Sequence, residues 1–262
     1  MRALHTAATG MMAQELNVQV ISNNIANMRT TGYKRQRAEF QDLLYEHVRR
    51  VGTQTSTQGN ILPVGIDLGG GVKTVGTPRL MTQGTLSTTD ADLNVAIRGE
   101  GFFKVQMPDG SFTYTRDGSF QMDAQGRIVT SQGYVVQPGI TIPSNAQSIS
   151  ISSQGQVSAT LPSQTAPSVL GQLTLTRFVN KAGLQATGDN LFVETPASGT
   201  PQDGTPNADG YGDLQQRSLE QANVAAVTEI SDLIAAQRAY EMNGKVITAA
   251  DQMLSATSNL MR

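Results

Sequence analysis

Every proline of this chain falls between Pro63 and Pro206, and on either side of that stretch an apolar residue returns at every seventh position. Leu4, Met11, Val18 and Ile25 form one series; Leu219, Ala226, Leu233, Tyr240, Ile247, Leu254 and Met261 form the other. Proline removes a backbone donor and clashes with the preceding turn, so its absence from residues 1–62 and 207–262 leaves both ends free to run as long helices. A seven-residue apolar repeat draws one line along a helix, and that line needs a partner. The two ends are therefore expected to meet each other, or copies of themselves, while the residues between form a separate body.

The N-terminal helix is expected from about Ala3 to Met28, stopping at the turn signal Thr30-Thr31-Gly32. The C-terminal helix is expected over 219–261, about 64 Å at 1.5 Å per residue. Its one glycine, Gly244, costs about 1 kcal/mol against alanine. Small residues such as Ala7, Ala8, Ala13, Ala235, Ala236, Ala249 and Ala250 let helix axes approach but bury little area. Each helix alone is weakly held, and the ends are expected to order on association.

The middle reads as β structure. Within 102–137 the runs FFKVQM, FTYTR, SFQMD, RIVTS and YVVQ alternate with Pro108-Asp109-Gly110, Asp117-Gly118, Gln125-Gly126 and Gln132-Gly133, the pattern of an antiparallel meander. DGSF occurs at 109–112 and again at 117–120, an offset of one strand plus one turn. ISISS, QLTLTRFV and NLFVET continue the pattern. The expected fold class is α+β: long N- and C-terminal helices in a coiled-coil-like domain (1–34 and 214–262), with a mostly β domain (73–213) between them. Residues 35–72 are expected as a linker, with a Thr- and Gln-rich extended excursion at 46–62.

Composition narrows the function classes. A net charge of −2 lacks the basic footprint of a nucleic-acid binder, and zero cysteines exclude disulfides, thiolate metal sites and cysteine nucleophiles. No apolar run reaches the ~18 residues of a membrane span, and the first twenty residues alternate at helical spacing rather than as a secretory signal. Neither membrane insertion nor signal cleavage is expected. GIDLGGGVKT at 65–74 resembles a phosphate loop but places Val72 where glycine must precede Lys-Thr, so it reads as a turn into a strand. Gly99-Glu100-Gly101 reads as a tight turn, and Asp203, Asn207, Asp209 and Asp213 as a solvated loop without EF-hand spacing. His5 and His47 are isolated, so neither an enzyme nor a metal or other cofactor is expected. Lys34, Arg35 and Arg37 read as a solvated turn or an inter-subunit salt link.

ISNNIANMRTTGYKR at 21–35 resembles the N-terminal signature of the bacterial flagellar rod and hook proteins, the axial family. LEQANVAAVTEISDLIAAQRAYEMNGKVITAADQML at 219–254 is similar to that family's C-terminal signature. GNILPVGIDLGGGVKTV, TQGTL, AIRGEGFFKV and YTRDGSF resemble its distal rod branch. Ala222 departs from the serine usual in the family pattern, which leaves the helix argument intact.

The resemblance implies a structural subunit of the flagellar basal body. It implies unfolded export through the flagellar type III route, and assembly into a rigid helical homopolymer that spans the periplasm, transmits torque and encloses an export channel. The terminal helices would line the channel and the β domain would lie outside. Proximal rod proteins, the hook protein and the surrounding periplasmic and outer-membrane ring proteins are the implied partners. A second rod or hook-type subunit stays open as the alternative. So does a secreted adhesin with a coiled stalk, although that class would carry an export signal and a longer repeat. For the assembly interface, the heptad line nominates Leu4, Met11, Val18, Ile25, Leu233, Tyr240, Ile247 and Leu254. Asn23 and Asn27 share a helix face and either fix register or simply end the helix in water. Gln237, Arg238 and Glu241 are their candidate polar counterparts. By resemblance, 46–62 stiffens the polymer, with Arg49, Arg50, Gln54, Gln58 and Asn60 as its contact residues.

Overall fold

The computed structural model describes residues 2–52, 64–162 and 166–260. The chain divides into two compact units. The first gathers the described residues of Met1–Ile25, Gln36–Pro78 and Ala225–Arg262, and the second those of Ala26–Arg35 and Arg79–Val224.

The first unit contains helices α1 (Arg2–Ala26) and α2 (Ala226–Leu260). It also holds strands β1 (Glu39–Asp42), β2 (Tyr45–Arg49), β3 (Ile66–Gly69) and β4 (Val72–Gly76). α1 ends two residues before the expected Met28. α2 begins at Ala226, seven residues after Leu219, where the apolar repeat starts. The reason lies in Asn223, whose side chain is committed to extended neighbours. Its Nδ2 donates to the Leu80 and Thr82 carbonyls at 2.7 and 3.1 Å, and its Oδ1 accepts the Arg35 N–H at 2.7 Å. These bonds hold an extended conformation that competes with helix. The 35-residue helix is about 52 Å long at 1.5 Å per residue.

Residues 35–72, expected as a linker with an extended excursion at 46–62, carry β1, β2 and β3 among the described residues. β1 pairs with β4 and β2 with β3, both antiparallel, so the chain runs out and returns as one long hairpin. β2 and β3 are exposed along their length, so no buried apolar face announces them in the sequence. No helix among the described residues is long and apolar enough to cross a membrane.

The second unit is almost entirely β. Its first strands are β5 (Leu86–Thr88), β6 (Val95–Arg98), β7 (Phe102–Gln106), β8 (Phe112–Thr115), β9 (Gln121–Met122), β10 (Ile128–Val129) and β11 (Val135–Val136). There follow β12 (Ser148–Ile151), β13 (Gln156–Thr160), β14 (Ser168–Gln172) and β15 (Leu175–Arg177). β16 (Gln185–Gly188), β17 (Leu191–Val193), β18 (Gln202–Gly204), β19 (Asp213–Gln216) and β20 (Ser218–Glu220) complete it. The main sheet runs β16-β17-β8-β7-β11-β10-β9, with β15 pairing β7 and β18.

All the β runs read from the sequence carry strands, but 102–137 is not a simple meander, because β17 rather than β9 lies beside β8 and β11 returns to pair with β7. The two DGSF copies explain the difference. The first is a hairpin turn: the Met107 N–H donates to the Ser111 carbonyl at 2.9 Å, and Gly110 has φ +85°. At the second, Gly118 instead presses on β6, where a Cβ would fall 1.7 Å from the Val95 carbonyl oxygen. The same four residues thus make a turn once and a close backbone approach once.

Phe102 and Phe103 point to opposite faces of β7 and seed two cores. Phe103 packs edge-on to Phe120 at 4.9 Å, beside Val95, Ile97, Leu175 and Leu214. Phe102 packs against Phe178 and Phe192, each at 6.0 Å. These clusters give the unit a rigid interior despite few aromatics.

Candidate assembly interface

α2 presents its more buried residues as one stripe: Ala226, Glu229, Leu233, Ala236, Ala239, Asn243, Ile247 and Ala250, spaced by three and four. α1 answers with Ala7, Gly10, Ala13, Val20, Ile21 and Asn24. The two helices pack on each other. Gly10 leaves room for the Asn243 side chain, since a Cβ added there would lie 2.9 Å from its amide nitrogen. Small residues on both stripes permit that packing.

A buried polar node closes one end of the pair. Asn24 is fully buried on α1, and its Nδ2 donates to Glu229 Oε2 on α2 at 3.1 Å. The same amide copies a strand edge: Nδ2 donates to the Gln36 carbonyl at 2.8 Å, and Oδ1 accepts the Gln36 N–H at 3.0 Å. One side chain therefore fixes α1 against both α2 and the chain entering the long hairpin. Leaving Glu229 and Gln36 without these partners costs on the order of 1–3 kcal/mol. Asn24→Ala is expected to lose about that much in thermal unfolding followed by helical circular dichroism, whereas Ser22→Ala, at an exposed position, changes stability by less than about 0.5 kcal/mol.

Of the nominated heptad residues, Leu233 and Ile247 stand on the α2 stripe. Leu4, Met11, Val18, Ile25, Leu233 and Ile247 are all half-buried, while Tyr240 and Leu254 are exposed. Val18 and Tyr240 meet across a groove that Glu15, Gln19, Gln237 and Glu241 also line. Asn23 is exposed, and Asn27 accepts a hydrogen bond from the Thr30 hydroxyl at 3.2 Å. Asn24, standing between them in ISNNIAN, is the residue that enters the helix contact. Helical phase could have found it, since Ala7, Gly10, Asn17 and Asn24 share its line.

The apolar surface left open is extensive. On α2, Val227, Ile230, Ile234, Met242, Val246 and Met253 are exposed, and on α1 Met12 is 70 % exposed. The hairpin adds Leu44, Tyr45, Val48, Ile66 and Leu68. Both strands of the β2–β3 pair are exposed along their whole length. Arg49 lies on β2 and Arg50 just after it; Gln54, Gln58 and Asn60 lie outside the described residues. Exposed apolar area on this scale marks a protein–protein contact surface.

Lys34 corrects the expectation of a solvated basic turn. It is 1 % exposed in the second unit, with Nζ 2.5 Å from Glu220 Oε1, and burial lowers its pKa while Glu220 opposes the shift. The partner lies 186 residues away, which no local pattern could signal. Of the loop acids at 203–213, Asp203 pairs with Lys104 at 2.8 Å and Asp213 with Arg98 at 2.5 Å.

Similarity to known proteins covers these features along the whole chain. The chain is 56 % identical over 260 residues to the flagellar basal-body rod protein FlgG of Caulobacter vibrioides, covering 99 % of both chains. It is 51 % identical over 262 residues to the rod protein FlgG of Agrobacterium fabrum, covering 100 % of each. The chain belongs to the FlgG family of flagellar basal-body rod proteins. Identity to the Bacillus subtilis member is 34 % over 267 residues, again with full coverage. Three family models match in addition. They are the flagella basal body rod protein at residues 4–34, the flagellar hook protein FlgE/F/G D1 domain at 96–159, and the flagellar basal body rod FlgEFG protein C-terminal region at 215–260. The first covers most of α1 with Asn24 and Lys34, and the last covers the end of β19, Glu220 and α2 with Glu229. Asn24, Glu229, Lys34 and Glu220 therefore all lie inside segments that the family models match.

Proposed function

We propose that the chain polymerises with copies of itself into a helical tube, its helix pair and long hairpin forming the contacts and its β unit decorating them. As a member of the FlgG family it is a structural subunit of the flagellar rod and resides in the flagellar basal body. The observation that carries the polymer reading is the uneven distribution of exposed apolar residues. They crowd on α2 and the β2–β3 pair, whereas the second unit buries two complete cores. A head-to-tail contact between different faces of one chain generates a filament when the rotation does not close. The paired helices, with Leu4, Met11, Val18, Ile25, Asn23, Asn27, Leu233, Tyr240, Ile247 and Leu254 along their faces, supply such surfaces.

In this reading the tube spans the periplasm, transmits torque and passes exported chains through its lumen. Proximal rod proteins continue it below, the hook protein above, and ring proteins surround it. Electron microscopy of the purified chain at rising concentration is the test. Hollow helical tubes are expected; a chain that stays monodisperse at every concentration would contradict the proposal.

The hairpin is proposed to stiffen the polymer. An apolar ribbon laid across a neighbouring copy adds contacts that must break before subunits slide. Deleting residues 46–62 is expected to leave assembly intact and to shorten the persistence length of the filaments. Unchanged stiffness by image analysis would count against the hairpin.

A further inference from the structure

We propose that Glu220 is a completion latch: the second unit closes its core only once residue 220 has arrived, so the β body stays open until the C-terminal part of the chain is present. Glu220 is 1 % exposed. Its Oε1 accepts from Lys34 Nζ at 2.5 Å and from the Gly84 N–H at 2.9 Å, and its Oε2 accepts from Arg116 Nε at 3.0 Å. Its backbone carbonyl accepts the Gly32 N–H at 2.8 Å. One residue thus joins segments 32–34, 84 and 116, which no local pairing brings together.

The charge balance makes this residue decisive. Lys34 is 1 % and Arg116 5 % exposed. Their remaining hydrogen bonds go to neutral carbonyls: Lys34 to Thr82 at 2.9 Å, and Arg116 Nη1 to Gly99 and Gly101 at 2.9 and 2.6 Å. Without the carboxylate, two cations would sit in a dry interior with carbonyl dipoles and only the weaker influence of Glu100, which is strongly unfavourable. The chain escapes that state by leaving both cations in water, with the segments that bury them unformed.

The same late segment supplies more than charge. β19 pairs with β6, whose Val95 and Ile97 are fully buried, and Leu214 enters the main core. Gln216 Nε2 donates to the Asp92 and Ile149 carbonyls at 2.8 and 2.9 Å. Synthesis runs from the N-terminus, so Lys34 and Arg116 exist long before the anion they share. In the rod reading, this keeps the β unit from closing before residue 220 has been made. That consequence rests on the proposed function, whereas the latch rests on the second unit alone and its failure would leave the polymer reading standing.

The test is hydrogen exchange of the full chain carrying Glu220→Gln, which keeps shape and removes charge. Breaking a buried ion pair by removing one partner costs enough to lower core protection by about a hundredfold or more. That loss is expected to spread together over β6, β7 and β8. Adding Lys34→Met to Glu220→Gln restores one charge deficit and is expected to recover much of the protection. Arg217→Ala, which removes an exposed ion pair with Asp92, is expected to leave protection unchanged. Loss confined to residues 30–35 and 218–224, with β7 and β8 protected as in the parent, would overturn the latch. So would a double variant no better than the single one. If Glu220→Gln does not fold at all, a folded double variant supports the proposal and an unfolded one overturns it.

Discussion

Replacing Phe103 by alanine is expected to remove about 3–5 kcal/mol from the stability of the second unit. The ring is 0 % exposed and stands 4.9 Å from Phe120 at an interplanar angle of 81°. Its neighbours Val95, Ile97 and Leu175 are backbone-paired strand residues and cannot collapse into the space. The cavity term therefore adds to the lost burial, and a domain of ordinary stability (about 5–15 kcal/mol) loses a large fraction of it. Phe112 provides the comparison. It is 43 % exposed on β8, with Lys104 Nζ 4.5 Å from its ring centroid. Phe112→Ala is expected to cost less than about 1 kcal/mol. Urea unfolding followed by circular dichroism or tyrosine fluorescence separates the two, since the chain has six tyrosines and no tryptophan. Equal midpoint shifts for the two variants would contradict the assignment of the core.

Removing residues 1–28 is expected to abolish filament formation while the β unit stays soluble and folded. The deletion takes away α1, and with it the partner stripe for Ala236, Asn243 and Ala250 on α2. It also takes Asn24 from Glu229, leaving a carboxylate that water must then solvate. The second unit keeps Gly32, Lys34 and all its strands, so its cores and its Glu220 bonds are untouched. Loss of polymer should therefore come without loss of the β circular dichroism signal. Truncated protein that still formed filaments by electron microscopy would refute the two-helix account.

The α+β class and the two long helices were legible in the sequence because their signals are local. Proline exclusion, heptad spacing and Asp-Gly turns each act over a few residues. What the sequence hid was long-range. Leu219 keeps perfect heptad phase and still lies in a strand, since Asn223 and the pairing of β20 with β5 outweigh helical propensity there. Asn24 lay between two nominated asparagines, and its role depends on Glu229, 205 residues away. Lys34 looked solvated because basic residues in a turn usually are, and only the fold brings Glu220 to it. The pairing within 39–76 left little local signal, because β2 and β3 are exposed along their length and β1 and β4 are at most half-buried.

The central claim is that the exposed faces of α2 become covered when chains assemble. The chain has no cysteine, so single thiols introduced at Val246 and Met253 report on their own positions. Both side chains are exposed, at 47 % and 64 %. Thiol modification rates of Val246→Cys and Met253→Cys should be fast in the monomer and strongly suppressed in assembled filaments, while Val179→Cys on the β unit, 80 % exposed, changes far less. Filaments in which the two α2 positions react as fast as in the monomer would contradict the account.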